Sequence, residues 1–225
     1  MKKYSVLLID ADQTLLDFSA AESLSIRATC EKFGIEFSEE VGRKYSEINL
    51  AQWKKHEKGL ITREDIKRLR FEEFADWVGY TGNPRELGLF YEGNLKNCGI
   101  ILDGADALCQ KLSQKYRLYL VTNGLLQVQK SRLALSGLLP YFSGCFISEA
   151  VGFSKPDKRF FDKVFEEIGC ADKGEVCIIG DSLSSDIQGG VNAGIDTCLF
   201  GEADENCTPT PTNRARNFEE LLNLF

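Results

Sequence analysis

The sequence predicts an α/β fold in which a parallel sheet is flanked by helices and an all-helical segment is inserted after the first strand. Three observations predict it. Short runs of consecutive apolar residues recur along the chain, as strands buried on both faces require. Helical patterns separate most of these runs, which is the alternation of a parallel sheet. One long stretch, residues 17–98, carries helical periodicity and no convincing strand.

The first strand is the apolar run at residues 4–9. It follows two lysines, but the apolar part is too short for a signal peptide and ends in Asp10 and Asp12. Apolar positions at helical spacing then mark helices within 24–33 and 66–77, with charged residues on the opposite faces. The remaining strands are expected at residues 117–121, 144–147, 176–179 and 197–200, and the helices between them at 105–115, 126–136, 158–168 and 185–193. Residues 201–213, with Pro209 and Pro211, read as turns, and a short helix at 218–225 docks the tail. The chain therefore divides into a Rossmann-like core, residues 1–16 and 99–225, and a helical domain, residues 17–98, expected to act as a cap over the strand ends.

Composition removes several functional classes. The chain has 225 residues, 43% of them hydrophobic and 27% charged, which suits a folded globular protein. Its net charge of −7 argues against a nucleic-acid polymer as partner. No run approaches the ~20 apolar residues of a membrane span. None of the eight cysteines forms a C-x-x-C pair and His56 is the only histidine, so a zinc site has no support. The expectation is a cytoplasmic protein with reduced thiols.

Polar residues cluster where the apolar runs stop: Asp10-Ala11-Asp12-Gln13-Thr14, Thr122-Asn123-Gly124, Ser154-Lys155-Pro156-Asp157, and Gly180-Asp181-Ser182-Leu183-Ser184-Ser185-Asp186. Ligands of open α/β sheets bind at the carboxyl ends of strands, so these patches would converge. Four carboxylates, Asp10, Asp12, Asp181 and Asp186, would raise one another's pKa values without a cation between them. Oxygen-only ligands point to Mg²⁺, which also takes phosphate oxygens. Lys155 adds positive charge, and Thr122 and the backbone N–H groups after it suit a phosphate. Asp10 would attack phosphorus, and Asp12, two residues on and on the same side of an extended chain, would move the proton.

The motifs DADQTL, LVTNG, SKPD and GDSLSSD, in that order, resemble the four motifs of the haloacid dehalogenase (HAD) superfamily. The resemblance spans residues 4–200. It implies Asp10 as nucleophile, Asp12 as acid/base, and Lys155, Thr122 and Asn123 around the phosphate. It also implies Mg²⁺ held by Asp10, the Asp12 backbone carbonyl and Asp181, with Asp186 supporting Lys155 or a metal-bound water. The insert matches the cap placed between the first and second motifs. The start DADQTL, the segment WKKHEKGLITR and the segment ISEAVGFSKPDKRFFD are similar to bacterial pyrimidine 5′-nucleotidases of this superfamily. Where this subgroup's first motif has Gly or Glu, this chain has Gln13.

The activity this implies is a phosphatase for a small phosphorylated metabolite, a nucleotide before a sugar phosphate. A dehalogenase is disfavoured because those enzymes lack the second acid, here Asp12. A phosphate-receiving signalling module gathers similar residues, but such modules are much shorter and lack a helical insert. Each residue also has a plainer reading: Asp181 as a helix cap, Thr122 as a turn residue, Lys155 as a solvated surface lysine. Only the joint pattern favours the functional reading. His56, in a lysine-rich run, reads as solvent-facing, and the Phe-rich runs at 71–74 and 160–165 read as core faces.

Overall fold

A computed structural model describes residues 4–169, 172–202 and 206–225. The two lysines before the first strand, Cys170, and residues 203–205 of the turn-rich segment lie outside the described residues. The chain divides into two compact units, one of Phe18–Cys98 and the other of the residues on either side of it.

Six strands among the described residues form one parallel sheet: β1 (Val6–Ile9), β2 (Arg117–Thr122), β3 (Gly144–Ile147), β4 (Val176–Gly180), β5 (Asp196–Phe200) and β6 (Asn213–Ala215). Their order is β3-β2-β1-β4-β5-β6. The chain works outward from β1 on one side, then crosses to β4 and works outward on the other. β1 and β4 therefore flank a topological switch point, where parallel sheets leave a crevice beyond their carboxyl ends. Residue Val6 stands opposite both Arg117 and Val176, so β1, β2 and β4 start level, and β2 runs on to Thr122 and β4 to Gly180 past the partners of Ile9.

The strands are apolar on both faces because helices cover both. Leu7, Ile9, Leu118, Leu120, Cys177, Ile179 and Cys198 point to one face, where they pack with α5 (Ala105–Ser113) and α10 (Phe218–Leu224). Val6, Leu8, Tyr119, Val121, Val176 and Ile178 point to the other, against Phe160, Phe161, Val164 and Phe165 of α8 (Lys158–Ile168). The Phe-rich run at 160–165 is thus core, as expected. The segments leaving and re-entering this unit pair with each other: Leu102 N donates to Leu15 O and Asp17 N to Ile100 O.

The α/β reading holds, with local corrections. β6 has no apolar run. It is held at the sheet edge by its ladder and by the Thr197 and Thr212 side chains, each accepting from the other's backbone N–H. A four-residue helix, α7 (Ser148–Val151), follows β3 directly. The helix expected at 185–193 is instead a π-helical turn, Leu183–Ile187, leading into α9 (Gln188–Ala193). Such wide turns are frequent at functional sites.

Phe18–Cys98 holds α1 (Phe18–Lys32), α2 (Glu39–Glu57), α3 (Arg63–Trp77) and α4 (Pro84–Leu95). Their starts are encoded locally: Ser38 caps α2, Thr62 and Asp65 form a reciprocal capping box at α3, and Asn83 precedes Pro84 at α4. Tyr45, Phe71, Phe74 and Tyr91 build an aromatic centre with ring centroids 5.0–6.4 Å apart. Beside it the buried Arg70 donates to Asn49 and Glu92, and Asn49 donates to Glu22. His56 is only half-exposed, its Nδ1 lying 2.9 Å from Ile61 O. No helix among the described residues is long and apolar enough to cross a membrane.

Candidate active site

β1 ends at Ile9, and Asp10 N continues the ladder by donating to Ile179 O. That bond fixes the carboxyl of Asp10 at the switch point. Lys155, 1% exposed, reaches the same place from the loop before α8. Its Nζ donates to Asp10 Oδ1 at 2.5 Å, Asp186 Oδ1 at 2.6 Å and Val121 O at 2.8 Å. An ammonium has three N–H bonds, and all three are used. In this state Lys155 acts on the crevice through its charge, and it would release one acceptor to donate to a ligand.

Asp186 is held from both sides. Its Oδ2 accepts from Ser182 N at 3.1 Å, and Ser182 Oγ in turn accepts from Ser185 N. Gly180 makes room for it, since a Cβ there would overlap the Asp186 carboxyl. Asp186, expected to support Lys155 or a metal-bound water, accepts a hydrogen bond from the lysine here. Carboxylate oxygens of Asp10, Asp181 and Asp186 all lie within 4.8 Å of one another.

The electrostatics of the cluster are unbalanced. Burial pushes the Asp10 carboxyl well above the usual range, the charges of Asp186 and Asp181 push the same way, and Lys155 opposes them. Asp181 is exposed to solvent on one side, and the loss of water around its carboxyl, followed by the charge of Asp186, raises it to about 7. Burial works against the charge of Lys155, but Asp10 and Asp186 outweigh it and hold the ammonium above the ordinary lysine value. Three hard oxygen donors with one lysine to neutralise them fit a divalent cation, which would draw the carboxyls back to their ionised forms.

Asp12 faces different partners. Arg132 Nη1 donates to its Oδ1 at 2.5 Å and Gln129 Nε2 to its Oδ2 at 2.8 Å. Gln129 Nε2 also donates to Thr122 Oγ1 at 2.7 Å. Both residues belong to α6 (Leu126–Ser136) and both are 1% exposed. They were not singled out from sequence. The signal was available, because Gln129 and Arg132 occupy the same helical face as Leu125, Val128 and Leu133, where an ordinary amphipathic helix would be apolar. The Asn123 side chain is committed elsewhere: its Nδ2 donates to Lys155 O at 2.8 Å and its Oδ1 accepts from Lys155 N at 2.9 Å. It therefore positions the lysine, and what remains for an anion is its backbone amide. Gln13, inside the first motif, stands at φ 58°, a left-handed conformation that explains why glycine suits the position.

A parallel sheet of this order, with acidic residues beyond β1 and β4, a hydroxyl on the last residue of β2 and a buried lysine between the carboxylates, defines a hydrolase site of the HAD type. The haloacid dehalogenase-like hydrolase family matches residues 4–194. The chain belongs to that family. It is 39% identical to the HAD-hydrolase YfnB of Bacillus subtilis over 100% of this chain and 97% of YfnB. A crystal structure of YfnB bound to magnesium superposes with a TM-score of 0.93, covering 99% of each chain. The pyrimidine 5′-nucleotidase PynA of Streptococcus pneumoniae is 36% identical over 99% of this chain and 95% of its own. The pyrimidine 5′-nucleotidase YjjG of Escherichia coli is 31% identical over 98% of each. The protein is accordingly an enzyme of the hydrolase class.

Proposed function

We propose that the chain is a Mg²⁺-dependent phosphatase that hydrolyses small phosphomonoesters through an aspartyl-phosphate on Asp10, with pyrimidine nucleoside monophosphates as its preferred substrates. The observation that supports the chemistry is the convergence of Asp10, Asp181, Asp186 and Lys155 beyond neighbouring strand ends. The nucleotide preference is supported by PynA and YjjG, which match along nearly their whole length. Residues 17–98 are assigned the role of cap, which would deliver the leaving group and exclude water. A cytoplasmic location accords with the described cysteines, none of which is in a disulfide.

Mg²⁺ would be held by Asp10, Asp181 and the Asp12 backbone carbonyl, with Asp186 alongside, and would supply positive charge against the phosphoryl oxygens. Asp10 Oδ attacks phosphorus as the bond to the leaving oxygen breaks, and Asp12 gives that oxygen a proton. Asp12 then takes a proton from the water that displaces Asp10 from phosphorus, releasing inorganic phosphate. Lys155 keeps Asp10 oriented and offsets charge that builds on the transferring group. Thr122 Oγ and the backbone amide of Asn123 hold the phosphoryl oxygens.

The test is a panel of nucleoside monophosphates and sugar phosphates assayed for phosphate release with and without Mg²⁺. Mg²⁺-dependent turnover highest on pyrimidine nucleotides supports the whole reading. Turnover confined to sugar phosphates overturns the substrate assignment, and a single stoichiometric phosphorylation without release would identify a receiver module instead.

A further inference from the structure

The polar chain on α6 does something that the four motifs leave undone. Thr122 has a hydroxyl that can either donate or accept, and nothing in the motif itself decides which. A phosphate oxygen needs a donor.

Gln129 decides it. Arg132 can only donate, and its Nη1 lies 3.1 Å from Gln129 Oε1. The amide oxygen must therefore face Arg132, which turns Nε2 to the opposite side. There Nε2 meets Thr122 Oγ1 at 2.7 Å, so the hydroxyl oxygen is the acceptor. Its second lone pair takes Gly124 N–H at 3.3 Å. With both lone pairs occupied, the remaining tetrahedral position of the hydroxyl is its proton. All three side chains, Thr122, Gln129 and Arg132, are 1% exposed, so water does not compete for these positions.

An independent observation shows that the backbone accommodates this arrangement. A Cβ at Gly124 would lie 2.5 Å from Gln129 Cγ and 2.8 Å from its Nε2. Glycine at 124 is what allows the amide to lie against the turn after β2.

We infer that Gln129, oriented by Arg132, is a positioning residue that locks Thr122 as a hydrogen-bond donor to the phosphoryl group. The inference rests on the phosphatase reading for the identity of the anion. It explains why a glutamine and an arginine sit on a helix face that packing alone would fill with leucine or valine.

The experiment measures inorganic phosphate binding to the full chain in Mg²⁺ by calorimetry, in wild type, Thr122→Val, Gln129→Glu, Gln129→Leu and the double variant Thr122→Val/Gln129→Glu. A glutamate at 129 offers Thr122 only acceptors, so the hydroxyl proton turns inward. Phosphate affinity should fall about tenfold in Gln129→Glu and in Thr122→Val, the worth of one hydrogen bond to a charged group. In the Thr122→Val background, Gln129→Glu, whose carboxylate also faces Asp12 Oδ2, should cause a smaller further loss than it causes in wild type. Gln129→Leu, which removes the amide without adding a charge, should weaken phosphate binding less than Gln129→Glu and serves if the glutamate variant does not fold. Phosphate affinity within twofold of wild type in the Gln129 variants overturns the inference. So do losses that multiply in the double variant, or a wild type that binds no phosphate. Failure of the phosphatase reading would appear separately, as a wild type that binds phosphate but releases none from any phosphomonoester.

Discussion

Replacing Lys155 with methionine should reveal how much of the fold's stability depends on the charge balance of the site. The lysine is 1% exposed, its partners Asp186 and Asp10 only 1% and 10%, and its ammonium makes three short hydrogen bonds. Methionine fills the volume but leaves two buried carboxylates facing each other without a cation. Removing one partner of a buried ion pair costs about 3–5 kcal/mol. For a chain of this size each kcal/mol moves the midpoint by roughly 2–4 °C, so melting in chelator at pH 8 should fall by ~10 °C. The comparison is Lys158→Met, whose ion pair with Asp162 is half-exposed and should be worth under about 1 kcal/mol. The cost in Lys155→Met should shrink as pH falls, because the Asp10 carboxyl, already pushed well above its usual range by burial, takes up a proton there, and shrink again with added Mg²⁺. A loss no larger than that of Lys158→Met, or one independent of pH, would refute the reasoning.

Two further outcomes are expected. Without metal, stability should fall as pH rises from about 4 to about 7, because folded Asp181, raised to about 7, keeps a proton that the unfolded chain has already lost. Denaturant midpoints across that window should show the slope, saturating Mg²⁺ should flatten it, and Asp181→Asn should remove its share; an unchanged slope in that variant contradicts the assignment. Gln13→Gly should stabilise the protein by up to about 1 kcal/mol, since Gln13 bears the Cβ cost of φ 58° and glycine does not. Part of that gain is lost to the greater freedom of glycine in the unfolded chain, and a lower urea midpoint in the variant would count against it.

The core strands were legible because a strand buried on both faces has no choice but a short apolar run, as at Val6–Ile9 and Val176–Gly180. β6 was illegible for the opposite reason: Asn213-Arg214-Ala215 lies at an edge, where one ladder and two threonine side chains suffice. In the site, Asp10, Lys155, Asp181 and Asp186 could be read because each follows a strand in a fixed order, and the structure brings these four together. The commitment of Asn123 to the Lys155 backbone could not be read, because a turn asparagine has the same appearance whichever way its amide points. The spacing of Gln129 and Arg132 shows that they share a helix face with Leu125, Val128 and Leu133, but their partners Asp12 and Thr122 lie on other elements and are defined only once the chain folds. The start of the helix expected at 185–193 is a π turn, Leu183–Ile187, which was not legible because a π turn differs from an α turn in hydrogen-bond register and not in composition.

The central claim is that phosphate passes through Asp10. Acid-quenched turnover, followed by mass analysis of the peptide containing Asp10, tests it most directly. A phosphoryl group should appear on Asp10 in the wild type during steady state, accumulate in Asp12→Asn where hydrolysis of the intermediate is slowed, and be absent in Asp10→Asn together with turnover. Turnover that persists in Asp10→Asn, or a phosphoryl group found on another residue, would contradict the account.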